Sequence, residues 1–222
     1  MDINLLTINV GNSRIAIGAF VKGELEYVRR MAISQREDFA GAIAEAWSHV
    51  AGDEGAEVAG ASVNPAAEEA LAKAVLSATD KKVQWVGREI DLPIKVKTAE
   101  PSKTGVDRVL ALAAAYEQMQ KACVVVDAGT AITVNVCNDA GEFLGGAIAP
   151  GAALMLDAMH DNTAQLPVVQ LAVPEGAIGA STEQAMLHGV YHGIRGMVKE
   201  LVEQYAVERS EEHTSELQSH HP

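Results

Sequence analysis

Residues 3–31, INLLTINVGNSRIAIGAFVKGELEYVRRM, hold the pattern that decides the fold. Ile3 to Asn9 is an apolar run that reads as a strand, Gly11-Asn12-Ser13 is a turn signal, and Arg14 to Phe20 alternates as a second strand. Lys22-Gly23-Glu24 turns again into a third, Leu25 to Met31. Short apolar stretches joined by Gly-polar turns predict an antiparallel meander. The same grammar returns in residues 124–148, VVVDAGTAITVNVCNDAGEFLGGAI. There Val124 to Asp127 reads as a buried strand, Ala128-Gly129-Thr130 as a turn, and Ile132 to Val136 and Glu142 to Ile148 as two more strands. This repeat of architecture predicts two similar lobes with a cleft between them.

Between the two meanders the signals are mostly helical. Ser34 is expected to cap a helix over 36–50, with Phe39, Ile43, Ala46, Trp47 and Val50 on one buried face. Glu57 to Val63 reads as a strand. Asn64-Pro65 then sets a cap before a proline at the first helical position of a helix reaching Ala78. Val83 to Val86 is a short strand, the stretch 92–102 between Pro93 and Pro101 is irregular, and Gly105 opens a helix with Val109, Leu112, Ala113 and Tyr116 on one face. Beyond Pro150-Gly151, helices are expected over 153–159 and 182–207.

The chain has 222 residues, 48% of them hydrophobic, with 17 Lys+Arg against 30 Asp+Glu and a net charge of −13. That acidity argues against nucleic acid or an anionic membrane as the main partner, though not against a small anion held by backbone amides and a local cation. Two cysteines, Cys123 and Cys137, without metal-ligand spacing exclude a zinc module or disulfide scaffold and fit a reducing cytoplasm. They read as core residues. The acidic start MDINLLTINVGNSR has too short an apolar stretch for a signal peptide or membrane span. Arg209 to His220 resembles the translated sequence of a common sequencing-library adapter. Residues 209–222 are therefore expected to be a non-native tail, the native protein continuing past Glu208.

Several stretches could carry chemistry. Asn9-Val10-Gly11-Asn12-Ser13 offers a tight turn with backbone and side-chain donors suited to phosphate, although an ordinary hairpin turn has the same composition. Asp127-Ala128-Gly129-Thr130 repeats the idea, and an aspartate ending a buried strand needs a cation, water or donors. Two matched turns, one per lobe, point to a shared nucleotide. Thr104-Gly105-Val106-Asp107-Arg108 places a carboxylate and a guanidinium at a helix start. The carboxylate suits the helix dipole and needs no function on that account; the guanidinium opposes the dipole, and a base beside an anion clamp would explain both, so the two readings stay open. Gly145-Gly146 and Gly151 suggest close backbone approach or a bulged strand end. His188 and His192 have metal-pair spacing but no third ligand, which favours a helix-surface or interface pair.

The ordered motifs N-V-G-N-S at 9–13, G-V-D-R at 105–108, D-A-G-T-A at 127–131, G-G-A-I-A-P-G at 145–151, T-A-Q-L-P at 163–167 and I-G-A-S-T at 178–182 resemble those of the type III pantothenate kinases. These belong to the acetate and sugar kinase/Hsp70/actin superfamily. The resemblance spans about Leu5 to Tyr205 and implies an α/β fold of two ribonuclease-H-like lobes, each a mixed sheet with an antiparallel meander and flanking helices. The lobes would be residues 1–103 and 104–208.

The resemblance also implies transfer of the γ-phosphoryl group of ATP to the hydroxyl of pantothenate, the first step toward coenzyme A. It implies a cytoplasmic homodimer that uses Mg²⁺ with K⁺ or NH₄⁺. Asn9, Val10, Gly11, Asn12, Ser13, Arg14, Ile15 and Ala16 would form the first phosphate loop, and Thr130 would contact ATP. Gly105, Val106, Asp107 and Arg108 would bind pantothenate, with Asp107 as base and Arg108 on the substrate carboxylate. Thr182 would also contact substrate, and Asp127 would hold the monovalent cation.

Two positions depart from the family pattern. Asn9 and Asn135 stand where aspartate is usual, and an amide lacks the charge that would orient hydrated Mg²⁺. Three readings follow: the kinase itself, a non-catalytic regulator or nucleotide-binding homologue, and a different kinase of the superfamily.

Overall fold

A computed structural model describes residues 3–52 and 55–219, with 209–219 described by backbone alone. The chain divides into two compact units, one of Met1–Lys95 with Glu100–Ala113, the other of Val96–Ala99 with Ala114–Pro222.

The first unit is built on a five-stranded sheet. β1 (Leu5–Val10), β2 (Arg14–Val21) and β3 (Glu24–Ala32) form the expected antiparallel meander. β4 (Glu57–Ser62) adds in parallel to the free side of β1, and β5 (Gln84–Trp85) adds in parallel to β4, giving the order β3-β2-β1-β4-β5. Parallel neighbours need crossovers, which α1 (Phe39–Ser48) and α2 (Pro65–Thr79) supply. Strand period two sends Leu6, Ile8 and Val10 to one face, where all three are buried with Ile15 and Ile17 of β2. The helices return their own apolar stripes to that core: Phe39, Ala42, Ile43 and Ala46 from α1, and Ala67, Leu71 and Val75 from α2.

The cap of α2 forms as its sequence predicts. The Asn64 side chain accepts a hydrogen bond from the Ala67 N–H at 3.2 Å, and Pro65 opens the helix. Asp80 ends it in the left-handed region, its N–H returning to the Leu76 carbonyl. The start of α1 differs from expectation. The backbone N–H of Gln35 donates to the Ala32 carbonyl while the Gln35 side chain accepts from the Ala32 N–H. Ser34 is thereby spent inside a turn, Arg36–Asp38 forms a short 3₁₀ turn, and α1 begins at Phe39 with no side-chain cap.

α3 (Val106–Met119) contributes its first two turns to the first unit, with Val109 and Leu112 fully buried. In the second unit β6 (Val124–Ala128), β7 (Ala131–Cys137) and β8 (Phe143–Pro150) form another meander, followed by α4 (Ala152–Asp161) and α5 (Thr182–Ser219). Ile132, Val134 and Val136 are buried, and Leu156 of α4 packs with Met186, Leu187 and Val190 of α5.

Three more expectations are corrected. The second sheet is antiparallel throughout, not mixed: between α4 and α5 no strand forms, in a stretch broken by Pro167, Pro174 and a Gly176 of positive φ. β6 lies at the edge of this sheet, beside β7 among the described residues, and Val126 is 43% exposed, so the strand is not buried. The helix expected to stop at 207 continues in backbone to Ser219. The reading of 209–222 as a tail concerns side chains outside the described residues.

The burial pattern of α2 is directly testable. Leu71→Ala removes a fully buried side chain and is expected to cost about 2–5 kcal/mol in urea unfolding. Leu76→Ala, at a 46% exposed residue of the same helix, is expected to stay within about 0.5 kcal/mol of the parent.

Candidate active site

β1 ends where the first candidate loop begins. The Gly11 N–H donates to the Arg14 carbonyl at 2.9 Å, closing a turn that leaves Asn12 and Ser13 exposed. Three further bonds hold this turn in place. The Val10 carbonyl accepts from the Val63 N–H at 3.0 Å, the Ser13 carbonyl from the Ile33 N–H at 3.0 Å, and the Asn12 carbonyl from the Asn64 side-chain amide at 3.4 Å. Asn64 therefore has two jobs: its oxygen caps α2 and its nitrogen anchors the turn. The sequence marked only the first.

Within the predicted loop of 9–16, Val10 and Ile15 point into the core and can offer a ligand only backbone. Asn9 takes the opposite face, since strand neighbours alternate. With Thr7, Ala16, Gly18 and Phe20 of the sheet and Leu110 of α3, it lines a groove of about 320 Å³. The helix that carries Asp107 and the strand that carries Asn9 thus share one face of the first unit.

Asp107 lies in the first turn of α3, half-buried. Its carboxylate accepts the Arg108 backbone N–H at 2.8 Å, a donor it shares with the Gly105 carbonyl at 3.1 Å. A Cβ at position 105 would meet that same carboxylate oxygen at 2.7 Å. Glycine at 105 is what lets Asp107 adopt this position.

In the second unit the β6–β7 turn mirrors the first. The Gly129 N–H donates to the Ala131 carbonyl at 2.9 Å, and Asp127, Gly129 and Thr130 are exposed. Exposure removes the argument that Asp127 needs a cation because it is buried; its carboxylate is solvated and available. Gly151 braces the turn from β8's end, its N–H donating to the Thr130 carbonyl at 2.9 Å. Any side chain at 151 would run into the carbonyls of Gly129 and Thr130. Gly145 and Gly146 both have positive φ beside a register shift at Val136/Cys137, and a Cβ on Gly146 would collide with the Val134 carbonyl. This glycine pair serves close strand approach at a bulge.

Asn135 is fully buried on β7 and donates to the Thr133 hydroxyl at 2.9 Å. An amide there is hydrogen-bonded inside the unit, whereas a carboxylate would bring charge into the same site.

Thr182 opens α5, capped by Ser181, whose hydroxyl oxygen accepts the Gln184 N–H at 3.2 Å. Its neighbour Glu183 is held below the usual carboxylate range by its own backbone N–H and then by the Ser181 hydroxyl. Thr182 lines a mostly apolar groove of about 640 Å³ between α4 and α5, with Pro150, Leu154, Met155 and Met186. Pro150 ties this groove to the Gly151 brace. His188 and His192 stack at 5.6 Å, but His188 is buried with its Nε2 at 3.1 Å from the Glu175 carbonyl. Among the described residues no group of three or more His, Cys, Asp or Glu side chains could hold a metal ion, and no helix is long and apolar enough to cross a membrane.

The sequence model described as type III pantothenate kinase matches residues 5–204. A type III pantothenate kinase from Finegoldia magna is 32% identical over 214 residues, covering 94% of this chain and 82% of the relative. One from Anaeromyxobacter sp. strain K is 34% identical over 209 residues, with 92% and 82% covered. A crystal structure from Campylobacter jejuni, described as a Baf family transcriptional activator, superposes with a TM-score of 0.55 at 22% identity over 88% of this chain and 78% of that one. That likeness concerns the fold alone.

The two jobs of Asn64 can be separated. Asn64→Asp keeps the cap oxygen and removes the amide donor, so the melting temperature is expected to hold while hydrogen exchange at Asn12 and Ser13 quickens. Asn64→Ala removes both and is expected to cost about 1 kcal/mol besides. Unchanged exchange in Asn64→Asp would remove the anchoring role.

Proposed function

We propose that this chain, which belongs to the type III pantothenate kinase family, transfers the γ-phosphoryl group of ATP to the hydroxyl of pantothenate, giving 4'-phosphopantothenate and ADP. The observation that carries the reading is Asp107: a carboxylate at a helix start, given room by Gly105 and oriented by the Arg108 N–H. A base must be held in one orientation to take a proton as the oxygen attacks.

Asp107 accepts the hydroxyl proton while that oxygen bonds to the γ-phosphorus. The bond from phosphorus to the β,γ-bridging oxygen breaks, and ADP leaves. Arg108, with its planar fork, pairs with the pantothenate carboxylate. Gly105 and Val106 supply backbone to the substrate, and Thr182 its hydroxyl. Asn9 to Ala16 cradles ATP phosphates through exposed Asn12 and Ser13 and through main chain, and Thr130 contacts the nucleotide.

The donor set fits an ion bound chiefly by the nucleotide: with no three-ligand cluster among the described residues, Mg²⁺ would take phosphate oxygens and water, as is usual for it. Asn9 would offer that ion an amide oxygen. Asp127 fits a monovalent cation, K⁺ or NH₄⁺, through its exposed carboxylate. When bound, these ions neutralise charge on the phosphates. A cytoplasmic homodimer completes the reading.

Asn9 favours one second reading, a nucleotide-binding homologue without turnover, because it lacks the charge a catalytic aspartate would bring. Both are tested together. Asp107→Asn is expected to lower pantothenate-dependent ADP release by about 10²–10⁴-fold with an unchanged melting temperature; retention of most activity would remove the base role. Asn9→Asp is expected to be no more than modestly faster than the parent. Turnover confined to that variant would establish the second reading.

A further inference from the structure

We propose that Cys123 and Cys137 form a peroxide-oxidised, thiol-reducible disulfide at the base of the β6–β7 hairpin. They are the only cysteines of the sequence. β6 and β7 are in register with Val124 opposite Val136, so the next pair outward is Cys123 opposite Cys137. The backbone confirms the pairing, since the Cys137 N–H donates to the Cys123 carbonyl at 3.1 Å. Opposed residues of an antiparallel pair have Cα atoms about 4.5–5.5 Å apart. That falls within the about 4.4–6.8 Å that a disulfide requires. The sulfurs already lie 3.5 Å apart on one face, so rotation of the side chains closes the bond without moving the strands.

The two thiols differ in access, and that divides the chemistry between them. Cys137 is fully buried and Cys123 is half-buried. The Cys123 thiolate attacks a hydroperoxide, breaking the O–O bond; the sulfur becomes a sulfenic acid and one oxygen leaves as water or alcohol. Cys137 then attacks the sulfenic sulfur, its proton leaving with the displaced hydroxide as a molecule of water. Two thiols are oxidised and one peroxide is reduced. A dithiol reverses the step by exchange, becoming a disulfide itself. A disulfide formed transiently in this way is of the redox-sensing kind found in reducing compartments. The link closes a ring through the hairpin tip that carries Asp127 and Thr130.

The test uses the full folded chain. After hydrogen peroxide, thiols titrated in denaturant are expected to fall from two per chain to none, with a mass loss of about 2 Da and full recovery in dithiothreitol. The product runs as a monomer on a non-reducing denaturing gel. Cys137→Ala, lacking the resolving thiol, is expected to accumulate a dimedone-reactive sulfenic acid at Cys123. Two thiols persisting in the parent, covalent dimers, or oxygen adducts in place of the mass loss would each overturn the proposal, and these readings need no variant to fold.

Discussion

Strand β1 cannot bury both of its faces in the same core, and the architecture of the first unit follows from that. Leu6, Ile8 and Val10 must meet the helices, so Thr7 and Asn9 must face the other way. β2 is hydrogen-bonded along one edge and β4 along the other, which fixes where β1 ends and hence where the Gly11 turn stands. The groove-facing side is then completed by α3, whose Leu110 shares it with Asn9 and whose first turn carries Asp107. One alternating strand thus assigns the core to one side and the candidate chemistry to the other.

The second unit solves the same problem with fewer strands. Its hairpin tip is braced by Gly151, where backbone packs against backbone too closely for any side chain. The first unit braces its tip by the side chain of Asn64. In both, the candidate ligand-facing residues are exposed while their carbonyls are tied down, an arrangement suited to binding without reorganisation. Asn135 belongs to this support: it is sealed inside the sheet with the Thr133 hydroxyl. The Asn135 amide therefore belongs to the interior of β7, whereas Asn9 stands at an exposed position.

Local rules carried much of this into the sequence. The three-strand grammar, the Asn64-Pro65 cap and the apolar stripe of α1 are set by neighbours a few residues apart, and they stand within a few residues of where they were expected. What was not legible depends on distant partners. Ser34 has the right chemistry for a cap, but Gln35 uses both of its groups on Ala32 and pulls Ser34 into a turn. β6 reads as buried from Val124-Val125-Val126, yet burial depends on what packs over the faces of a sheet, which three consecutive valines do not reveal, and Val126 is 43% exposed. The anchoring of Asn12 by Asn64 and the apposition of Cys123 with Cys137 arise only once strands and helices are paired. The candidate site was legible as motifs; the groove that Asn9 shares with α3 was not.

Every proposed role above serves one reaction, the phosphorylation of pantothenate. The most direct measurement is ADP release by the unmodified chain with ATP, Mg²⁺ and K⁺, titrated with pantothenate, with the phosphorylated product identified by mass. ADP is expected to rise and saturate with pantothenate, matched mole for mole by 4'-phosphopantothenate. Folded chain that binds ATP but releases ADP at a rate independent of pantothenate, with no phosphorylated product, would contradict it.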